Sequence, residues 1–349
     1  MKKRVSVLLG LACLLSLNMK NVYADEHSVN RIHFINTKGN SGSDAILLES
    51  NGHFALIDTG EDFDFPDGTN PLYPIRKGNT TQNYKVLEDR VLRHLKNVGV
   101  NKLDFVLGTH VHSDHIGGVD EVLNHYSVEK LYLKRYSDNR LTDSTRLWDN
   151  LFNYDNALKA AKNKNVKIIQ DISEKDSHFK LGDMDIQLYN YKNEYDEDGN
   201  LKKVYDDNLN SILSLLTVNN TKIFLGGDLE NTDIGKEDLY APLIGKVDVM
   251  KFNHHVETTK SNTKNFVDTL NPKYIIKTAV QPIEESYKNY LNSKNIKILN
   301  AGIRDKAAIV FEFDNGKIID VSKEFSYYGF YYDNNLLKFK TGTENFLKK

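Results

Sequence analysis

The chain has 349 residues, 40% hydrophobic and 27% charged, with 21 Gly and 6 Pro, which excludes collagen-like, coiled-coil and wholly disordered classes. Lys and Arg number 46 against 48 Asp and Glu, a net charge of -2 that offers no basic excess for nucleic acid. A single cysteine excludes a disulfide scaffold and any Cys-rich zinc module.

The first two dozen residues read as an export signal. Lys2-Lys3-Arg4 form a basic start, residues 5–17 an apolar run too short to span a bilayer, and Val22-Tyr23-Ala24 a cleavage-like end. Cys13 lies inside the run, with Gly10 where a lipoprotein signal carries a Leu-like residue, so it is expected to leave with the signal. Removal of residues 1–24 leaves 42 basic residues against 48 acidic ones, a net charge of -6, and no cysteine. No second apolar run approaches membrane length, so the mature chain is expected to be soluble, with no transmembrane segment.

Strand signals then follow at 31–36, 44–49 and 54–57, with Asn51-Gly52 predicting a tight hairpin between the last two. Residues 58–78 are polar, carry Pro66, Pro71 and Pro74, and read as a long ordered loop. Apolar spacing predicts a helix over 84–98, closed by Gly99, and another over 144–162 with Leu147, Leu151, Tyr154 and Leu158 on one face. Between them a short buried strand at 103–107 runs into Gly108-Thr109-His110. Strands are expected at 166–169, 179–181, 184–189, 211–218 and 223–225. Strand and helix signals then alternate through 247–252, 262–270, 274–278, 286–291, 296–299 and 307–313. Hairpins mixed with βα alternation in both halves predict an α/β fold of two packed sheets with helices outside them. No linker or repeat divides 28–325, which reads as one domain; residues 326–349 form an aromatic, basic tail with no assigned fold.

Chemistry concentrates at strand ends. The segment from Thr109 to Gly118 puts His110, His112, Asp114 and His115 within six residues, after a buried strand and before a helical pattern. Imidazole nitrogen and carboxylate oxygen suit borderline divalent ions such as zinc. His-x-His turns two rings to one side while Asp-His opens a helix towards another, so one turn can serve two metals. Two later strands end in Gly226-Gly227-Asp228 and in Asn253-His254-His255.

These motifs together resemble the metallo-β-lactamase superfamily, and Asp58-Thr59-Gly60, after the strand at 54–57, matches that family's first motif. The resemblance implies an αββα sandwich with a binuclear site along one edge and Asp58 supporting a ligand from behind. The stretches DTGEDFDFPDG, KRYSDNRLTDSTRLWDNL, LGDMDIQLYNY, LGGDLEN and PLIGKVDVMKFNHH are more specifically similar to the catalytic domain of teichoic acid phosphorylcholine esterases of the choline-binding protein E type. Two departures stand out: choline-binding repeats do not follow in this sequence, and Ile75 and Tyr205 stand where tryptophans are expected.

Carried over position by position, the resemblance implies that His110 and His112 hold one divalent ion, Asp114 and His115 another, and Asp228 bridges both. One of His254 and His255 completes the second set, His255 by preference, leaving His254 to protonate the leaving alcohol. Asp114 and His254 are thus the candidate catalytic groups. Many family members carry a further histidine about twenty residues before the bridging Asp; here Asp206-Asp207-Asn208-Leu209-Asn210 has none, which leaves the first ion three protein ligands and an open position. Both ions are expected to be Zn2+. The implied reaction is metal-assisted hydrolysis, hydroxide attacking phosphorus in line and releasing phosphorylcholine from teichoic acid or related phosphocholine esters. A trimethylammonium group calls for aromatic faces. Trp148, the only tryptophan, and Tyr205 are the candidates, followed by Tyr154 and Phe63. The implied location is outside a Gram-positive cell, secreted or at its surface. The alternatives are a nuclease of the same fold, which the acidic charge disfavours, a β-lactamase or lactonase, and a non-catalytic wall-binding protein.

Overall fold

The computed structural model of the chain describes residues 28–37, 42–61, 64–76, 85–232, 235–302, 307–325, 331–333 and 338–340. The expected export signal, Phe63 and most of the C-terminal tail lie outside these residues. Strands β1 (Asn30–Ile35), β2 (Ala45–Ser50) and β3 (His53–Thr59) form an antiparallel meander. Asn51 and Gly52 both take positive φ, 49° and 79°, as the predicted hairpin turn requires. Helix α1 (Lys85–Val98) leads to β4 (Lys102–Leu107), and α2 (Ser113–Ile116) and α3 (Val119–His125) lead to β5 (Ser127–Tyr132). Helix α4 (Asn150–Asn163) leads to β6 (Lys167–Ile169), and β3 to β6 pair in parallel.

The second sheet begins with antiparallel β7 (His178–Leu181), β8 (Met184–Tyr189), β9 (Leu213–Val218) and β10 (Thr221–Leu225). It continues in parallel through β11 (Val249–Lys251), β12 (Tyr274–Lys277) and β13 (Lys297–Asn300). Helices α5 (Lys236–Ile244), α6 (Lys264–Leu270) and α7 (Glu285–Ser293) make the crossovers. Strands β14 (Ala308–Asp314) and β15 (Lys317–Asp320) return to the first sheet, where β14 pairs with β1. The orders are β15-β14-β1-β2-β3-β4-β5-β6 and β13-β12-β11-β10-β9-β8-β7, with β16 (Tyr331–Asp333) and β17 (Lys338–Lys340) as a separate ribbon.

Alternation along the strands makes the layers. Ile46, Leu48, Ala55 and Ile57 pack between the sheets with Ile186, Leu188, Leu216 and Ile223. Leu47 and Leu56 face outward onto Val91 and Leu95 of α1 and Val119 of α3. On the far side Phe224, Met250 and Ile275 meet Phe266 of α6 and Leu291 of α7. Strands apolar on both faces are covered on both faces, which gives the αββα sandwich the sequence predicts. Parallel pairing brings the carboxyl ends of β3, β4, β10 and β11 to one edge, where open α/β sheets place their ligands. No helix among the described residues is long and apolar enough to cross a membrane.

Three stretches depart from the sequence reading. The helix expected over 144–162 is broken: Ser144–Arg146 is a 3-10 turn capped by Asp143, Trp148 takes φ 34°, and α4 starts at Asn150. Strand β5 escaped notice because Ser127 and Glu129 are exposed and interrupt its apolar pattern. Helix α5 contains Pro242 and lacks a clear apolar stripe.

Strand β1 and helix α1 are joined by a buried imidazole pair, His33 Nδ1 lying 3.0 Å from His94 Nε2 and His33 Nε2 3.2 Å from Glu49 Oε2. Burial, with Arg31 adding to it, lowers the His33 pKa from 6.5 to about 3; burial, then His33, holds His94 well below its usual range. The unfolded chain binds these protons below about pH 6.5 and the folded chain does not, so stability is lost as pH falls from there towards 3. Urea unfolding across that window should show a loss of up to about 1.4 kcal/mol per pH unit per histidine. The His94→Gln variant should lose stability less steeply than the wild type; equal slopes would contradict the account.

Candidate metal centre

The turn after β4, the end of β10 and the turn after β11 converge on one carboxylate oxygen. Asp228 Oδ2 lies 3.1 Å from His115 Nε2, 3.3 Å from His255 Nε2 and 3.8 Å from His254 Nε2. Asp114 Oδ2 lies 3.0 Å from His255 Nε2. His110 Nε2 faces His112 Nδ1 at 3.1 Å, and the His110 ring centre is 4.2 Å from that of His115. The seven expected ligand candidates are therefore within one cluster, in which His110, His112, His115, Asp228 and His255 are buried and His254 is half-buried.

The other nitrogen of each ring has a polar neighbour. His115 Nδ1 is 2.8 Å from Asp58 Oδ2, as the first motif implies, and Asp58 in turn accepts from Thr109 N and Oγ1 at 2.7 and 2.9 Å. His255 Nδ1 meets Asp44 Oδ1 at 3.2 Å and Thr278 Oγ1 at 3.1 Å. His110 Nδ1 meets Thr109 Oγ1 at 3.0 Å, His112 Nε2 lies 3.1 Å from Asp206 Oδ1, and His254 Nδ1 lies 3.3 Å from Glu230 Oε1. His112 Nε2 and His254 Nδ1 lie beside their carboxylates without a formed hydrogen bond; for His115, His255 and His110, one ring nitrogen turned inward and one supported from outside is the arrangement that metal-binding histidines use.

The chemistry of this donor set fits a divalent cation. Asp44, His115, Asp228 and His255, all buried, offer ligand atoms within 4.8 Å of one another and could hold a metal. His115 Nε2 is buried and has no well-formed hydrogen bond, although Asp228 Oδ2 is 3.1 Å away. Burial opposes charge on His115 and His255, yet Asp228 above all carries both well above the usual imidazole range. Burial likewise disfavours charge on Asp228, but His115, His255, His254 and Lys251 hold it well below the usual carboxylate range. The centre thus draws in positive charge, which a divalent ion would supply.

Four functional neighbours escaped the sequence reading. Asp44, from the loop before β2, supports His255, and Glu230 supports His254. Asp206 stands where a further histidine was sought, but it lies against the His112 nitrogen turned away from His110. Lys251, the last residue of β11, is fully buried; its Nζ donates to the Asp44 carboxylate and to Gly227 O at 2.8 Å, and lies 3.4 Å from Asp228 Oδ1. A lone lysine inside the apolar run 247–252 was the available signal, since a buried ammonium requires carboxylates beside it.

The backbone is bent to deliver these groups. His254 and His255 take left-handed φ of 47° and 58°. Their turn is held by His254 N donating to Gly227 O at 3.2 Å and Glu257 N to His254 O at 2.9 Å. Glu237 of α5 anchors its far end, accepting from Asn262 N, Thr263 N and Asn253 Nδ2 at 2.6–2.9 Å. Gly42 has φ 151°, and a Cβ there would lie 2.4 Å from His255 Cγ, so only glycine admits the ring.

A cavity of about 470 Å³ opens over the centre, lined among others by His112, Asp114, Trp148, Asp228, His254 and His255, with Glu257 and Glu284 further along its wall. The helix break at Trp148 is what brings the indole here, edge-on to His112 with ring centres 4.7 Å apart. Tyr205 is absent from the lining; Arg146 Cζ and Lys260 Nζ lie 5.9 and 5.2 Å from its ring centre. Tyr154 is buried against Tyr136 and donates no face to the cavity.

A sequence model described as the metallo-beta-lactamase superfamily matches residues 39–273, and the chain belongs to that superfamily. Among solved structures, it is similar to Igni18, a metallo hydrolase from Ignicoccus hospitalis KIN4/I, with 15% identity over 82% of this chain and 100% of that one and a TM-score of 0.43. A diphosphatase from the PhnP family matches at 12% identity over 82% and 98%, with a TM-score of 0.42. CmlA, a diiron beta-hydroxylase from Streptomyces venezuelae, matches at 11% identity over 78% and 52%, with a TM-score of 0.41. A search of curated proteins found no match.

Replacing Lys251 with Met would leave Asp44 and Asp228 buried without their ammonium. Urea unfolding of the metal-free protein should show a loss of about 3–5 kcal/mol, largely recovered in Lys251→Met/Asp44→Asn. A loss under about 1 kcal/mol, the range of exposed pairs, would contradict this reading of the buried ammonium.

Proposed function

We propose that the chain is an exported, binuclear metal-dependent phosphodiesterase that releases phosphorylcholine from teichoic acid or related phosphocholine esters. The observation that carries the reading is the single oxygen Asp228 Oδ2, within 3.8 Å of three imidazoles at the floor of a cavity walled by Trp148. The phosphorylcholine assignment draws on the sequence resemblance to the choline-binding protein E type of esterase. In this reading His110 and His112 would hold one ion and Asp114, His115 and His255 the other, with Asp228 available to both and Zn2+ as the expected metal.

When bound, the two ions supply positive charge to the phosphoryl oxygens and acidify the attacking water. The remaining work falls to the chain's own groups. Asp58, Asp44 and Asp206 fix the rings of His115, His255 and His112. Asp114, partly open to the cavity at 22% side-chain exposure, can take up the proton of the attacking water at Oδ1. His254, 29% exposed, is backed by Glu230 at Nδ1 and presents Nε2 to the cavity, where it can protonate the leaving alkoxide. Among the cavity-lining groups, Glu257 and Glu284 supply negative charge and Trp148 an aromatic ring for a trimethylammonium group, the indole also having Arg146 Cζ 5.5 Å from its ring centre.

Metal-loaded protein should turn over p-nitrophenylphosphorylcholine in preference to bis-p-nitrophenyl phosphate and leave nitrocefin intact, and Asp228→Ala should fall to background. Full activity of Asp228→Ala, or turnover of nitrocefin alone, would overturn the reading. His254→Ala should slow an alkyl phosphorylcholine ester by roughly 10²-fold or more while barely affecting the p-nitrophenyl ester, whose leaving group needs no proton. Equal slowing of both would remove His254 from the acid role.

A further inference from the structure

We infer that Arg146 and Lys260, flanking the Tyr205 ring beside the His112 side of the centre, form an anion-binding subsite for a second phosphate of a polyanionic substrate. The inference deepens the phosphodiesterase reading and rests on it for its catalytic consequence. Arg146 Cζ lies 5.9 Å and Lys260 Nζ 5.2 Å from the centre of the Tyr205 ring, and Arg146 Cζ is also 5.5 Å from that of Trp148. A phosphate brought to Tyr205 would meet these two cations, with the Asp143 carboxylate on the Tyr205 hydroxyl as the opposing charge.

The cations are placed next to the reaction centre. Arg146 Nε lies 3.5 Å from Asp206 Oδ2, and Asp206 Oδ1 is 3.1 Å from His112 Nε2. Lys260 sits on the turn that starts at His254 and His255, and its neighbours Glu257 and Thr258 line the cavity. The carboxylate contacts of Arg146, to Asp206 and at 3.9 Å to Asp143, both run through Nε and are long; its guanidinium also bonds the Tyr205 side chain, and with five N–H donors it has others to offer a phosphate. Among the described residues Lys260 Nζ has no carboxylate within 4 Å. The chain as a whole is acidic, so this local pair of cations stands against the surrounding charge rather than with it.

A substrate held at both places would carry a cationic group near Trp148, the scissile phosphodiester over Asp228 and a neighbouring phosphate at Arg146 and Lys260. That is the pattern of a phosphate-repeat polymer bearing phosphorylcholine. A small phosphorylcholine ester would leave the second subsite unused.

Trp148, the chain's only tryptophan and a neighbour of Arg146, makes binding directly visible. Titrating metal-loaded protein with a choline-free glycerol-phosphate oligomer should change its fluorescence saturably, with affinity falling steeply as salt rises. Lys260→Glu should weaken that binding at least tenfold and Lys260→Ala less. In kinetics, the ratio of kcat/KM for a phosphorylcholine-bearing polymer to that for p-nitrophenylphosphorylcholine should fall at least tenfold in Lys260→Glu. Unchanged oligomer affinity or an unchanged ratio would overturn the subsite. Tighter binding of an oligodeoxynucleotide of equal charge would assign it to nucleic acid and overturn it equally. If the wild type turned over neither ester, the phosphodiesterase reading would fail, while the fluorescence titration would still decide the subsite.

Discussion

A carboxylate taken out of water needs cations around it, and Asp228 has them on both of its oxygens. Oδ2 faces the imidazoles of His115, His255 and His254, while Oδ1 faces the ammonium of Lys251. Lys251 shares its charge with Asp44, and Asp44 in turn steadies His255. Parallel pairing of β10 with β11, Ile223 against Val249, sets Asp228 and Lys251 at this separation. A slip of one residue would turn Lys251 to the opposite face and leave two buried carboxylates uncompensated. The register of the second sheet and the charge balance of the centre are therefore one constraint.

The surrounding loops are shaped to satisfy it. Left-handed backbone at His254 and His255 turns two adjacent side chains towards the same oxygen, which an extended strand end would send to opposite faces. Glu237 keeps that turn closed from helix α5, and Gly42 clears space for the His255 ring from the first sheet. Each sheet thus contributes both ligand candidates and the groups that fix them. Opening the sandwich along this edge would break the centre and expose its core together.

Much of this was legible in the sequence because the signals were local. His110 to His115 lie in one turn, Gly-Gly-Asp and the histidine pair end apolar strands, and alternation along β2 and β3 announces strands covered on both faces. What stayed hidden depends on contacts between distant segments. Asp44 precedes a strand as many aspartates do, and only its approach to His255, 211 residues away, gives it a role. The apolar spacing over 144–162 is real, yet the chain breaks it at Trp148 to bring the indole to the cavity, a local conflict of the kind functional sites impose. Tyr205 had the residue type for a cationic group, but unlike Trp148 it lies outside the cavity lining.

The central claim is that one carboxylate organises two metal positions. Anomalous diffraction from crystals of the metal-loaded protein tests it most directly. The account predicts two ions flanking Asp228 Oδ2, one against His110 and His112 and the other against Asp114, His115 and His255, with Lys251 still paired to Asp44. A single ion, or an ion seated on Asp44 with the Lys251 ammonium displaced, would contradict it.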